Sequence, residues 1–189
     1  EHYSYLTAHS VDAVAKKCGL NLFRVERLPT HGGSNRYYLS RSKQPDETVA
    51  VVLANEKKAG LFLENKWQEF FSASKQAIDG LGQWFADQKA AGNVVVGYGA
   101  AHKGNTFLNA VGEASKTLEY VVDASHEKQG KFLPGSQVPV LAPEKLNSID
   151  PTDVLILPWN IAEELTSKIT SLAPGARIWI AQPSMTQLN

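Results

Sequence analysis

Cysteine and methionine are almost missing from this 189-residue chain, with Cys18 and Met185 the single copies. One cysteine excludes an internal disulfide, and the lack of Cys/His clusters argues against a structural zinc site, so no metal is expected. Net charge is missing too, because 19 Lys and Arg balance 19 Asp and Glu. Such a balance gives no global field for nucleic acid or for an anionic membrane. No apolar run approaches the length of a membrane span, and the first residues carry no signal-peptide pattern. A cytoplasmic protein with neither nucleic acid nor membrane as partner is the expectation. The chain starts without an initiator methionine at Glu1-His2-Tyr3-Ser4-Tyr5, which reads as a processed product or a piece of a longer polypeptide. Internal repeats and low-complexity segments are also lacking. What remains, 43% hydrophobic and 20% charged residues, is ordinary for a globular protein of one domain or one plus part of another.

The first third mixes a helix with paired strands. Ser10 is suited to cap a helix with Val11, Val14, Ala15 and Cys18 on one face and Gly19 as its stop. Leu20 to Leu28 and Arg36 to Arg41 are rich in strand formers, and the stretch between them is too long for a tight hairpin turn. A boundary is expected near Ser42 to Asp46 or slightly beyond Leu53. From there Leu63, Trp67, Phe70, Ile78, Leu81 and Phe85 share a helical face across roughly seven turns, weakened by Gly80 and Gly82. That stripe predicts a helix packed on a sheet.

The sheet begins at Val94-Val95-Val96, a β-branched run that breaks into Gly97-Tyr98-Gly99 and then a helix-compatible segment. Leu118 to Val122, Val138 to Leu141, Asp153 to Leu157 and Arg177 to Ala181 read as further strands. Between the last two, Asn160 and Glu163 have capping-box spacing for another helix. Strands alternating with helices predict an α/β fold with an open, mostly parallel sheet. Ligands of such sheets lie beyond the carboxyl ends of the strands, where Tyr98 with Gly99, Asp123, and Trp159 with Asn160 converge.

A Gly-x-Gly pair alone is a weak signal, but Lys103 and Asn105 at the following helix start point to a phosphate. Asp123 ends the second strand, where nucleotide-binding sheets often hold ribose hydroxyls. A dinucleotide fingerprint nevertheless fails, since His102 stands at the third glycine position and the next glycine is Gly104. Lys128 and Lys131 are read as a solvated basic loop in preference to phosphate contacts. His31-Gly32-Gly33-Ser34 with Arg36 offers an imidazole, an amide-rich loop and a fixed cation, and a site there is about as good a reading as a plain loop. Glu1 and His2, taken alone, read as solvated side chains.

In sequence order, Glu1 to Tyr5, Leu28 to Arg36, Gly97 to Thr106, Gln129-Gly130-Lys131 with Pro134-Gly135, and Leu157-Pro158-Trp159-Asn160 resemble the C-terminal half of the S-adenosylmethionine-dependent sugar C-methyltransferases. The resemblance covers nearly the whole chain. It implies a parent enzyme with a small zinc-binding region and a methyltransferase domain preceding a Rossmann-like C-terminal domain that holds a nucleotide-linked keto-deoxysugar. Residues 1–53 would be the end of the methyltransferase domain and 54–189 the Rossmann-like domain. S-adenosylmethionine would bind mainly outside this chain, and the isolated piece would be inactive. Glu1 and His2 match the last two positions of the family's Tyr-x-Glu-His motif. A histidine base held by a carboxylate suits abstraction of a proton beside a ketone. The residues expected to hold substrate are His31, Gly32, Gly33, Arg36, Tyr98, Gly99, Lys103, Gly104, Asn105, Asp123, Lys131, Trp159 and Asn160. Two rivals stand beside this reading: an NAD(P)-dependent Rossmann oxidoreductase, and a non-catalytic nucleotide-binding module using Tyr98 and Trp159 as exposed contacts.

Overall fold

A computed structural model describes residues 4–30 and 33–189, and the chain divides into two units, Glu1–Phe71 and Ser72–Asn189. In the first unit helix α1 (Ala8–Lys17) starts at Thr7, not at Ser10. Thr7 and Ser10 form a reciprocal capping box, the Ser10 amide donating to Thr7 Oγ1 and the Thr7 amide to Ser10 Oγ. Ser10 is therefore the third helical residue, and the buried positions are Ala8 and Ala15, whereas Val14 is exposed.

Strands β1 (Asn21–Leu28) and β2 (Ser34–Ser40) pair antiparallel, with Leu28 opposite Ser34. A register shift between Leu22 and Arg24 breaks the alternation, which is why Leu22 and Val25 are both buried three positions apart. Both pack against Val49 of helix α2 (Glu47–Lys58). Asp46 caps α2 by accepting from the Thr48 amide. The boundary expected at Leu53 falls within α2, where Val52 and Leu53 pack on this small core.

Helix α3 (Glu64–Ala90) contains the aromatic stripe, and the division into units falls within it. Gly80 and Gly82 are accommodated within this helical span. The stripe is not buried along its length: Leu81, Trp84 and Phe85 are buried, but Leu63, Trp67 and Phe70 are exposed. Periodicity marks an apolar face without showing how much of it is covered, and that is the source of the difference.

The second unit is a six-stranded sheet of β3 (Val95–Tyr98), β4 (Leu118–Val122), β5 (Val140–Leu141), β6 (Asp153–Ile156), β7 (Arg177–Ile180) and β8 (Thr186–Gln187). Its order is β5-β4-β3-β6-β7-β8, parallel except for the β7–β8 pair. Strand alternation sends Val95, Val121 and Leu155 to one face, covered by α3 and by Leu108 of α4 (His102–Val111). Val96, Tyr98, Val122 and Ile156 go to the other, under Leu146 of α5 (Leu146–Ile149) and Leu165 and Ile169 of α6 (Ala162–Leu172). This is the mostly parallel α/β sheet that the strand pattern predicts.

Asp153 is fully buried at the start of β6. Arg177 binds it with two N–H groups at 2.9 and 2.8 Å, and the Trp179 indole N–H donates to it at 2.7 Å, so the carboxylate is satisfied. Helix α6 has no Asn160 capping box, since its N-cap is Ile161 after a 3-10 turn at Trp159–Ile161. No helix among the described residues is long and apolar enough to cross a membrane.

Candidate functional site at the carboxyl edge of the sheet

Chain direction reverses between β3 and β6: from β3 the chain moves outward to β4 and β5, then crosses back to β6 on the other side. Crevices at such a switch point, beyond the strands' carboxyl ends, are where open α/β sheets bind ligands. Gly99 makes the turn after β3 with φ +85°, a left-handed conformation that glycine adopts without a Cβ penalty. Its amide donates to the Val122 carbonyl at 2.7 Å. A Cβ on Gly99 would lie 2.6 Å from Pro158 Cδ, so the turn after β3 packs directly on the residue that follows β6 and Leu157.

Helix α4 leaves this turn from Ala101, which makes no side-chain cap hydrogen bond, and Lys103 stands in a first turn free of acidic residues. That combination leaves an electropositive helix end. Lys103 Nζ lies 4.9 Å from the centre of the Trp159 ring, and Phe107 meets the same ring edge-on at 6.2 Å. A cation over an indole face is attracted by the ring quadrupole. Lys103, Phe107 and Trp159 thus form one cluster at the mouth of the crevice. Gly104 instead faces the sheet, where a Cβ would come within 2.5 Å of Leu157 Cβ. It performs the close helix-to-strand packing that a dinucleotide fingerprint gives to its third glycine. Asn105 is half-buried with its Oδ1 unpartnered.

Asp123 caps the opposite wall and is already engaged. Oδ2 accepts from the Ala100 amide at 2.7 Å and from Lys128 Nζ at 3.1 Å, and Oδ1 accepts from the Ser125 amide at 2.8 Å. Lys128 Nζ donates also to the Ala100 carbonyl at 3.0 Å, and Gln129 to the Asp123 carbonyl at 2.9 Å. Lys128 is therefore not the solvated loop cation that the sequence suggests: it ties the glycine turn to the β4–β5 loop. The Asp123 carboxylate is thereby fixed in place, and Oδ1, which takes a single hydrogen bond, keeps an acceptor position.

Tyr98 is 7% exposed, so it is not the exposed contact that a non-catalytic module would use. Burial raises its hydroxyl pKa, Lys168 lowers it, and the Asp123 and Glu144 carboxylates raise it again, for a net increase. Trp159 is half-buried, while Asn160 and Lys131 are exposed.

The remaining expected residues belong to the first unit. Gly33 has φ +115° and donates to the Thr30 carbonyl. Arg36 lies 3.3 Å from Glu26, which also accepts from the Tyr38 hydroxyl at 2.6 Å. The Tyr38 hydrogen bond, opposed by burial and aided by Arg36 and Arg24, holds Glu26 below the usual carboxylate range. Arg36 is thus half of a cross-strand ion pair. Glu1, His2, His31 and Gly32 lie outside the described residues. Sequence reasoning passes over Phe107, assigns Lys128 to a solvated loop and gives Pro158 no role of its own. The spacing Gly97-x-Gly99-x₄-Gly104 was the available clue to the tight α4–β6 crossing.

Comparison with known proteins gives the family. Residues 29–183 match the family model described as C-methyltransferase C-terminal domain. The chain is also 32% identical over 168 residues to the C-methyltransferase NovU of Streptomyces niveus, covering 87% of this chain and 40% of that protein. It therefore spans about two fifths of that relative's length, and it belongs to the C-methyltransferase C-terminal domain family.

Proposed function

We propose that this chain is the C-terminal part of a cytoplasmic S-adenosylmethionine-dependent C-methyltransferase, and that its second unit holds a nucleotide-linked keto-deoxysugar. The observation that carries the reading is the family match across residues 29–183 together with a Rossmann-type switch point bearing Lys103 at the start of α4. In this reading S-adenosylmethionine supplies an electrophilic methyl group. The second unit offers it no glycine-rich cofactor turn, since His102 stands at the third glycine position after β3. No contact with it is assigned to these residues, and its site belongs to the preceding methyltransferase domain.

The roles left to this chain are proton transfer and substrate holding. His2, oriented by Glu1, removes the proton from the ring carbon beside the ketone, leaving an enolate whose carbon is the methyl acceptor. Lys103 and the amides at the α4 end meet the diphosphate, with Asn105 and Lys131 as further donors. Gly99 keeps the backbone close, Tyr98 and Gly104 act as packing beneath the crevice, and Trp159 with Asn160 borders it. His31, Gly32, Gly33 and Arg36 supply a second group of substrate contacts.

The test is binding to the chain itself, followed by thermal shift with a thymidine diphosphate sugar, NAD and S-adenosylmethionine in parallel. Stabilisation by the nucleotide-sugar alone, lost in Lys103→Ala, is expected. Saturable NAD binding would reinstate the oxidoreductase, and a nucleotide-sugar response untouched by Lys103→Ala would remove the proposed site.

A further inference from the structure

Large apolar side chains are distributed very unevenly between the two units. Ten of the thirteen exposed ones among the described residues lie in Glu1–Phe71, and that unit contributes just Ala8, Ala15, Leu22, Val25 and Val49 to the buried apolar set. The densest part is one face at the start of α3. Phe62, Leu63, Trp67, Phe70 and Phe71 are 46–61% exposed, and Trp67, Phe70 and Phe71 fall at the i, i+3, i+4 positions of one stripe of α3, with Phe62 and Leu63 just before the helix. Trp67, Phe70 and Phe71 adjoin one another, with Trp67–Phe70 and Phe70–Phe71 ring centres both 6.0 Å apart, while the Phe62 ring meets His9 edge-on at 4.5 Å. The only polar atom of the Trp67 ring already donates to the Leu61 carbonyl at 2.8 Å. What points outward therefore asks for an apolar partner. At the size of aromatic side chains the patch is on the order of 500 Å², the upper range of what a free monomer exposes.

We infer that this face is the docking surface for the polypeptide that precedes this sequence in the complete protein, the methyltransferase core. The inference rests on the reading above. Two observations select this occupant over a second copy of the chain: the sequence covers 40% of NovU, and the exposed residues are concentrated in the first unit, most of which the resemblance assigns to the end of the methyltransferase domain. The second unit, which matches a self-sufficient sheet with both faces covered, exposes only Phe132, Ile161 and Leu188 of this class.

The experiment compares Phe70→Glu/Phe71→Glu, and separately Trp67→Glu, in the complete polypeptide and in the 189-residue chain. In the chain the substitutions should change the melting temperature by less than about 2 °C, since surface changes fall within about ±0.5 kcal/mol, and should reduce binding of an apolar fluorescent dye. In the complete polypeptide they should lower it by about 5 °C or more and expose the segment around α3 to protease. Equal tolerance in both, or a reading frame with nothing before Glu1, overturns the inference. So does a chain that is a dimer by light scattering and becomes monomeric on substitution, because the face then serves self-association. If the complete polypeptide is destabilised as expected yet transfers no methyl group to any nucleotide-sugar, the docking surface stands and the functional reading fails.

Discussion

Gly104→Ala should destabilise the second unit although the change favours a helix. The α4–β6 crossing leaves no room for a methyl group: it would lie 2.5 Å from Leu157 Cβ, 3.2 Å from the Leu157 carbonyl oxygen and 3.3 Å from Leu157 Cα. All three atoms are backbone or fixed to it, on a central strand edge, so rotamer change gives no escape. Overpacking of this kind costs about 1–3 kcal/mol, and a backbone clash belongs at the upper end. Helix propensity returns about 0.8–1 kcal/mol, leaving a net loss of about 2 kcal/mol. For a chain of this size that is a fall of about 4–8 °C in melting temperature. Gly80 in α3 provides the control, because a Cβ there meets nothing within 4 Å. Gly80→Ala should gain about 0.5–1 kcal/mol. Leu157→Ala should not rescue Gly104→Ala, since it keeps the clashing Cβ. Thermal unfolding followed by circular dichroism reads all four proteins. If Gly104→Ala stabilises as Gly80→Ala does, α4 does not sit on β6 as described.

Acid should loosen the first unit through Glu56. Burial, the largest influence, raises its pKa, but the His9 ring at 2.7 Å and the Ala8 and His9 amides together outweigh it, and the folded value ends below the ordinary 4.5. A depressed folded pKa gives stability that is present above the unfolded value and lost as pH falls through the folded one. Unfolding of the wild type should therefore become easier below about pH 4.5, and Glu56→Gln should flatten that limb while lowering stability at neutral pH. Tyr120, pushed up to about 12 by burial and by Glu119, should ionise last in an alkaline absorbance titration. Because its buried hydroxyl has no partner, Tyr120→Phe should remove that phase and leave stability unchanged or raised by up to about 1 kcal/mol. Asp153→Ala strips Arg177 and Trp179 of their shared acceptor. Breaking a buried pair costs about 3–5 kcal/mol, and Arg177, still 42% exposed, should bring the loss measured in urea to about 2–3 kcal/mol.

Where the chain signals its structure locally, the sequence was readable. The continuous run Val94-Val95-Val96, the apolar Leu118 to Val122 and Asp153 to Leu157 mark strands buried on both faces, and a glycine, Gly112, ends α4. Such signals depend on a few neighbouring residues and their periodicity. Cover is a different kind of fact. Nothing in the spacing of Leu63, Trp67 and Phe70 distinguishes them from Leu81 and Phe85, yet one set is exposed and the other is core. The site divides in the same way. Strand ends placed Gly99, Asp123 and Trp159 at one edge without three-dimensional information. The engagement of Asp123 by Lys128, the capture of Trp159 between Lys103 and Phe107, and the burial of Tyr98 depend on where loops fold back, which a single sequence does not encode in any local pattern. Gly104 lay between the two cases, since its role was predictable once the fingerprint was allowed a longer second interval.

The central claim is that the Lys103–Trp159 corner of the switch point receives the phosphates of a nucleotide-sugar. Calorimetric titration of the chain with thymidine diphosphate at two salt concentrations tests it most directly. The account predicts saturable binding that weakens with salt, drops at least about tenfold in Lys103→Ala, a loss of about 1.4 kcal/mol, and quenches tryptophan fluorescence in the wild type but not in Trp159→Phe. Binding indifferent to both substitutions would contradict it.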